Sequence, residues 1–147
     1  MALALVSPRP LRPRYELTVG RARLRLYLGD CLEVLPALEP RSISIVVTSP
    51  PYNLGVKYRT YLDDMPRTEY LNWTDRWIRL ASEAMAESGS LFLNVGAKPT
   101  DPWIPLEVAQ IARRYFKLQN TIHWVKSIAI DRDAAGHATG LDRDVAV

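Results

Sequence analysis

The sequence has 147 residues, of which 48% are hydrophobic and 24% charged, with a formal net charge of +3. That length supports one domain with a sizeable core, and the composition is that of an ordinary soluble globular chain. No apolar run approaches the ~20 residues needed to span a bilayer; a lone Cys31 excludes an internal disulfide, and two distant histidines with one cysteine make no recognisable metal site.

Residues 1–20 read as a flexible Pro/Arg-rich tail. Their first apolar stretch is too short for a secretory signal, and arginines follow it rather than precede it. With the single cysteine, expected as a small buried residue, this points to a reducing cytoplasm. Six arginines against Glu16 give residues 1–25 a charge of +5, so the remainder carries −2. The basic head reads first as solvated, with phosphate contact as the alternative. The body has no electrostatic footprint for nucleic acid, so a DNA-binding role must rest on the chemistry of a site.

In chain order, "ARLRLYLGD" alternates arginine with Ala/Leu, the period of a strand with one apolar face. Gly29 ends it, and Asp30 is placed to cap a short helix in "CLEVLPAL". "SISIVVTS" reads as a strand buried on both faces. From Thr68 to Glu87, Tyr70, Trp73, Trp77, Leu80, Ala81 and Ala84 recur at helical spacing as a core stripe, with Gly89 as the expected stop. "SLFLNVG" is a third strand. "PLEVAQIARRYF" is a helix with Leu106, Ala109, Ala112 and Phe116 along one face, and "LQNTIHWVK" is a fourth strand with Trp124 in the core. Strands alternating with helices predict an α/β domain: a Rossmann-like, largely parallel sheet with helices on both faces. Its expected extent is 21–127, with 128–147 a loop. Ligands in such sheets bind beyond the carboxyl ends of the strands, where Asp30, the Ser49–Tyr52 loop and Asn94-Val95-Gly96 all fall.

The loop Ser49-Pro50-Pro51-Tyr52 carries the chemistry. Two prolines end the strand because they cannot donate to a ladder, yet they keep their carbonyls. The residue before each proline is held extended. Ser49 adds a hydroxyl, and Tyr52 adds a flat face for stacking. Rigid acceptors beside an aromatic plate suit a planar group bearing an –NH₂, such as a nucleobase.

"TSPPY", about twenty residues after a "GD", resembles the catalytic motif of the amino-methylating DNA methyltransferases, closest to the cytosine-N4 type with serine at the first motif position. "GSLFLNVG" and "NTIHWVK" resemble two further strands of that family, and the likeness runs from about Leu26 to Lys126. The resemblance implies transfer of a methyl group from S-adenosylmethionine to the exocyclic amine of a base flipped out of double-stranded DNA. Adenine N6 is the alternative to cytosine N4. It implies Ser49, Pro50, Pro51 and Tyr52 as catalytic, Asp30 and Ser49 near the cofactor, and Tyr52, Asn53, His123 and Lys126 on the substrate. Each has a plainer reading: Asp30 as a helix cap, Asn53 as a turn former, Lys126 as a solvated strand end.

The family also uses a glycine-rich turn of Phe-x-Gly-x-Gly type to hold the methionine part of the cofactor. The seven glycines here are scattered and none forms Gly-x-Gly. The expectation is therefore an amino-terminal catalytic portion of a longer enzyme, followed by a missing target-recognition region. On its own it should neither bind S-adenosylmethionine tightly nor methylate DNA. A separate chain carrying the remainder is then a candidate partner beside DNA, and a non-catalytic remnant or subunit is the competing reading. No phosphate-cradling glycine loop supports an unrelated nucleotide-binding enzyme, and neither a metal nor a membrane is expected as a partner.

Overall fold

A computed structural model describes residues 11–58, 61, 63–124, 126–132 and 138–146, the last two stretches by their backbone. The chain divides into two compact units, Met1–Lys117 and Leu118–Val147.

The first unit opens with a hairpin, β1 (Tyr15–Val19) and β2 (Ala22–Leu26), paired antiparallel with Val19 opposite Ala22. Gly20 takes φ +60° between them, which supplies the positive dihedral that a two-residue hairpin turn needs. The tail expected over 1–20 therefore ends earlier, because "YELTV" alternates apolar and polar residues and finds a partner in "ARLRL". Glu16 pairs with Arg23 and Arg25 on the polar side. Residues 1–10 lie outside the described residues.

Asp30 caps α1 (Cys31–Val34), its side chain accepting from the Leu32 N–H. Cys31, expected buried, is exposed at the first position of this short helix. β3 (Ile43–Thr48) then pairs in parallel with β4 (Met85–Leu93), from Ile45 opposite Ser90 to Thr48 opposite Leu93. The largely parallel sheet expected from the sequence is thus a parallel pair among the described residues. β2 joins the hairpin instead, because its nearest strand in sequence is within reach of a tight turn.

The crossover between β3 and β4 is α2 (Arg67–Ala84), which packs on α3 (Ile104–Ala112). α2 buries Tyr70, Thr74, Trp77, Ile78, Ala81 and Ala84, most of the expected stripe. It ends at Ala84 because Met85 is already extended. Gly89 instead makes room for backbone, since a Cβ there would sit 2.9 Å from the Ala86 carbonyl oxygen and 3.0 Å from that of Ile43. It permits the close backbone approach at the irregular start of the β3–β4 pairing. α3 buries Ile104, Val108 and Ile111 and leaves Leu106 exposed. The sequence offered two apolar series at helical spacing, and the β-branched one turns inward.

Leu93 and Val95 pack against this helical core, so one face of the parallel pair is covered. The opposite face is bare: Ile45 is 60%, Val47 76% and Phe92 54% exposed. The two-sided cover expected of a parallel sheet is absent among the described residues.

In the second unit, β5 (Lys126–Arg132) pairs antiparallel with β6 (Ala138–Ala146). The strand expected over "LQNTIHWVK" and the loop expected over 128–147 are both displaced. Residues 116–124 are irregular, and the hairpin follows them. Trp124, expected in the core, is 76% exposed.

Candidate active site

The loop grows directly out of the β3–β4 ladder. The last rung beyond Thr48 and Leu93 is the Asn94 N–H donating to the Thr48 carbonyl at 2.9 Å. Pro50 and Pro51 have no N–H to continue it, and the chain turns away at the carboxyl end of a parallel strand.

Three contacts fix the loop's shape. The Ser49 hydroxyl is hydrogen-bonded to the Tyr52 phenol. The Tyr70 hydroxyl donates to the Pro51 carbonyl at 3.0 Å, tying the loop to the buried face of α2. The Tyr52 ring lies against Gly96, where a Cβ would come within 2.8 Å of it. Two of the three strand-end segments expected to converge, Ser49–Tyr52 and Asn94–Gly96, are therefore in contact. Asp30 follows a hairpin strand and not the parallel pair, and its carboxylate holds the start of α1.

Tyr70 is buried, which pushes its phenol up to about 12. It remains a hydrogen donor at any ordinary pH. The Pro51 carbonyl is occupied, the Pro50 carbonyl has no partner among the described residues, and Ser49 and Pro50 both line the cleft.

Beyond Tyr52 the chain folds back. Asn53 takes φ +59° and Gly55 φ +80°. The Asn53 side chain donates to the Met65 carbonyl at 2.8 Å and accepts from the Met65 N–H at 2.7 Å. Both ends of its amide are occupied, so the turn-forming reading of Asn53 is the one the geometry displays. The backbone N–H groups of Asn53, Leu54 and Val56 all point at the Asp63 carboxylate, at 2.9, 3.0 and 3.3 Å. Asp63 is buried, at 1% exposure, and its own carbonyl accepts from Gly55 at 2.7 Å.

This reverse turn walls a cleft of about 270 Å³ whose lining includes Ser49, Pro50, Tyr52, Leu54, Val56 and Asp63. Its volume falls just below the roughly 300–1,000 Å³ of sites for drug-sized ligands. The fit is to one flat ring entered from an open side, not to a whole nucleoside-bearing cofactor. His123 and Trp124 lie in the second unit and are exposed, Lys126 opens β5, and the Lys126 side chain is outside the described residues.

Asp63 was invisible to motif reasoning. "DDMP" before a helix reads as ordinary first-turn acid. The signal that could have found it is "YNLGV": a left-handed Asn and Gly two residues apart turn successive N–H groups inward, and such a nest needs an anion.

A family profile described as DNA methylase, of the N6/N4 methyltransferase type, matches residues 43–141. The chain belongs to this DNA methylase family. It is 36% identical over 107 residues to a Type II methyltransferase, M.MjaVI, of Methanocaldococcus jannaschii, covering 67% of this chain and 53% of that protein. It is 35% identical over 88 residues to Type II methyltransferase M.ScaI of Streptomyces caespitosus, covering 60% and 27%. Against Type II methyltransferase M.BglII of Bacillus subtilis it is 33% identical over 112 residues, covering 69% and 29%. The chain thus spans about half, or less, of the length of the curated relatives it matches. The family match begins at Ile43, the first residue of β3, so it takes in the whole loop and cleft.

The DNA methylase family normally uses S-adenosylmethionine. The residues present fit one side of that chemistry: oxygen acceptors at Ser49, whose hydroxyl is shared with Tyr52, and at Pro50 would suit an amine. The Asp30 carboxylate adds an exposed acceptor. No Gly-x-Gly turn occurs in the sequence to hold the methionine end. Among the described residues no group of three or more His, Cys, Asp or Glu is arranged to hold a metal, and no helix is long and apolar enough to cross a membrane.

Proposed function

We propose that this chain is the catalytic portion of a cytoplasmic restriction-modification methyltransferase that methylates cytosine N4 in double-stranded DNA. The observation that carries the reading is a cleft at the carboxyl end of a parallel strand that Ser49, Pro50 and Tyr52 line together. Serine at the first position of the loop favours cytosine N4 over adenine N6, on the family's pattern.

S-adenosylmethionine, when bound, supplies an electrophilic sulfonium methyl. The chain's own residues do the rest by position. The amino nitrogen of a base is a poor nucleophile because its lone pair is delocalised into the ring. Two acceptors, the Ser49 hydroxyl and the Pro50 carbonyl, hold the two –NH₂ hydrogens and favour a pyramidal nitrogen. Serine is too weak a base to take the proton first, so orientation outweighs general-base catalysis. The base must leave the duplex, at a few kcal/mol, and stacking on Tyr52 offsets part of that. Gly96 lies against the Cδ2–Cε2 side of the ring and helps to hold its pose.

Asp30 toward the cofactor, and Asn53, His123 and Lys126 toward DNA, complete the proposed contacts. Asn53 acts through the turn it holds. A polypeptide carrying the glycine-rich turn is the proposed partner beside DNA.

The experiment offers the full-length gene product duplex DNA and labelled S-adenosylmethionine, then identifies the modified nucleoside. N4-methylcytosine is the expected product. N6-methyladenine moves the assignment within the family, and transfer to a protein or small amine but not to DNA overturns it.

A further inference from the structure

The reverse turn after Tyr52 is an anion-binding nest filled from within. Positive φ at Asn53 and Gly55 aims the N–H groups of Asn53, Leu54 and Val56 at one point. An exposed nest would take a phosphate or sulfate. Here the occupant is the Asp63 carboxylate, supplied across the loop and buried.

The consequence is mechanical. Leu54 and Val56, whose N–H groups are tied, also line the cleft, together with Tyr52. Asn53 is tied a second time through Met65, one residue before Pro66 and the start of α2. Asp63 itself also lines the cleft, and its carboxylate, held by three N–H donors, sets the position of the turn that forms the wall. A buried carboxylate is expensive to desolvate, and three N–H donors converging on it are what offset that expense. Neither oxygen can be replaced by a donor without setting N–H against N–H.

We infer that Asp63 is a positioning residue for methyl transfer: its carboxylate locks the Asn53–Val56 turn and so fixes the distance between the cleft wall and the Ser49/Pro50 acceptors. The inference rests on the methyltransferase reading and goes beyond it by assigning a residue outside the Ser-Pro-Pro-Tyr motif.

The test pairs two substitutions in the full-length protein with two readouts. Asp63→Ala removes the lock. Asp63→Asn keeps the shape and one acceptor but presents an –NH₂ to the turn, and it serves where the alanine variant fails to fold. Amide hydrogen exchange should accelerate at least tenfold at Asn53, Leu54 and Val56, with the amides of α2 around Trp77 unchanged. With duplex DNA, kcat per folded enzyme should fall about 10- to 100-fold for Asp63→Ala, the scale of an ångström's misplacement. Asp63→Asn should fall between it and the unaltered protein, and KM for DNA should move less than kcat. Exchange that is unchanged, or spread evenly over the unit, overturns the lock. Faster exchange at the three amides with unaltered kcat overturns the positioning role. If the unaltered protein transfers no methyl to DNA, the methyltransferase reading and the catalytic role of Asp63 fall together. The exchange result then still decides separately whether Asp63 holds the turn.

Discussion

Gly96 and the Tyr52 ring are in contact so close that any side chain at 96 would displace the ring: a Cβ there would lie 2.8 Å from Tyr52 Cδ2 and 2.9 Å from Cε2. The end of β4 thereby sets the pose of the aromatic side chain at the end of β3. Gly96→Ala should push the ring toward the cleft. Overpacking of this kind costs about 1–3 kcal/mol when the neighbour cannot move, but Tyr52 is half-buried and can yield. The expected outcome is a melting temperature close to that of the unaltered protein and a methylation rate down by at least tenfold, read by the two measurements side by side.

Ser49 is exposed, and its hydroxyl bonds to Tyr52. Ser49→Ala should leave stability within about 0.5 kcal/mol, as for most surface substitutions. Methyl transfer should drop roughly a hundredfold, the scale of losing one preorganised hydrogen-bonding group. Single-turnover rates on duplex DNA check this, and a rate within twofold of normal would remove Ser49 from the chemistry.

Tyr70 gives a stability prediction with a pH signature. Tyr70→Phe strands the Pro51 carbonyl and should destabilise the protein by about 1–3 kcal/mol. The Tyr70 phenol is raised by burial from the ordinary 10 to about 12. A raised pKa in the folded state means the contribution is fully present below pH 10 and is lost as pH rises toward 12. Denaturant unfolding from pH 8 to 12 should show the unaltered protein losing stability above pH 10, and Tyr70→Phe losing less over the same window.

Ile78 provides the control that separates fold from site. It is fully buried in α2 and packs with Trp77, Ile104 and Val108. Ile78→Ala should cost about 2–5 kcal/mol, measured by urea unfolding, with the activity per folded molecule nearly unchanged.

The elements that depend on local pattern were legible. α2 and its aromatic stripe, the strand ending at Thr48, the cap at Asp30 and the parallel pairing of β3 with β4 all follow from periodicity and punctuation. The failures have a common cause, which is competition between equally good local patterns. "ARLRL" suits either a parallel sheet or a hairpin, and Gly20 decides it. α3 holds two apolar series one step out of register, and packing against Ile78 selects Ile104, Val108 and Ile111. Trp124 sits at strand spacing but is exposed, because the second hairpin begins only at Lys126. In the site, the Ser-Pro-Pro-Tyr loop was legible because prolines and a terminal aromatic leave a mark in one dimension. Asp63 was not, and of Gly96 only its place at a strand end was, since each makes its contact across a sequence gap that only folding closes.

The bare side of the parallel pair bears on how the molecule behaves in a flask. Ile45, Val47 and Phe92 form a greasy strip across the two paired strands. Such a strip makes neighbouring molecules attract at short range, and salting-out anions strengthen that attraction. Light scattering from the isolated chain should rise steeply with concentration and with added sulfate, while the circular dichroism stays constant. Phe92→Ser or Val47→Thr, both facing outward, should flatten the curve. Exposed apolar surface of this kind also favours aggregation before folding is complete, so yield in expression should track these two side chains more closely than any residue of the Ser49–Tyr52 loop.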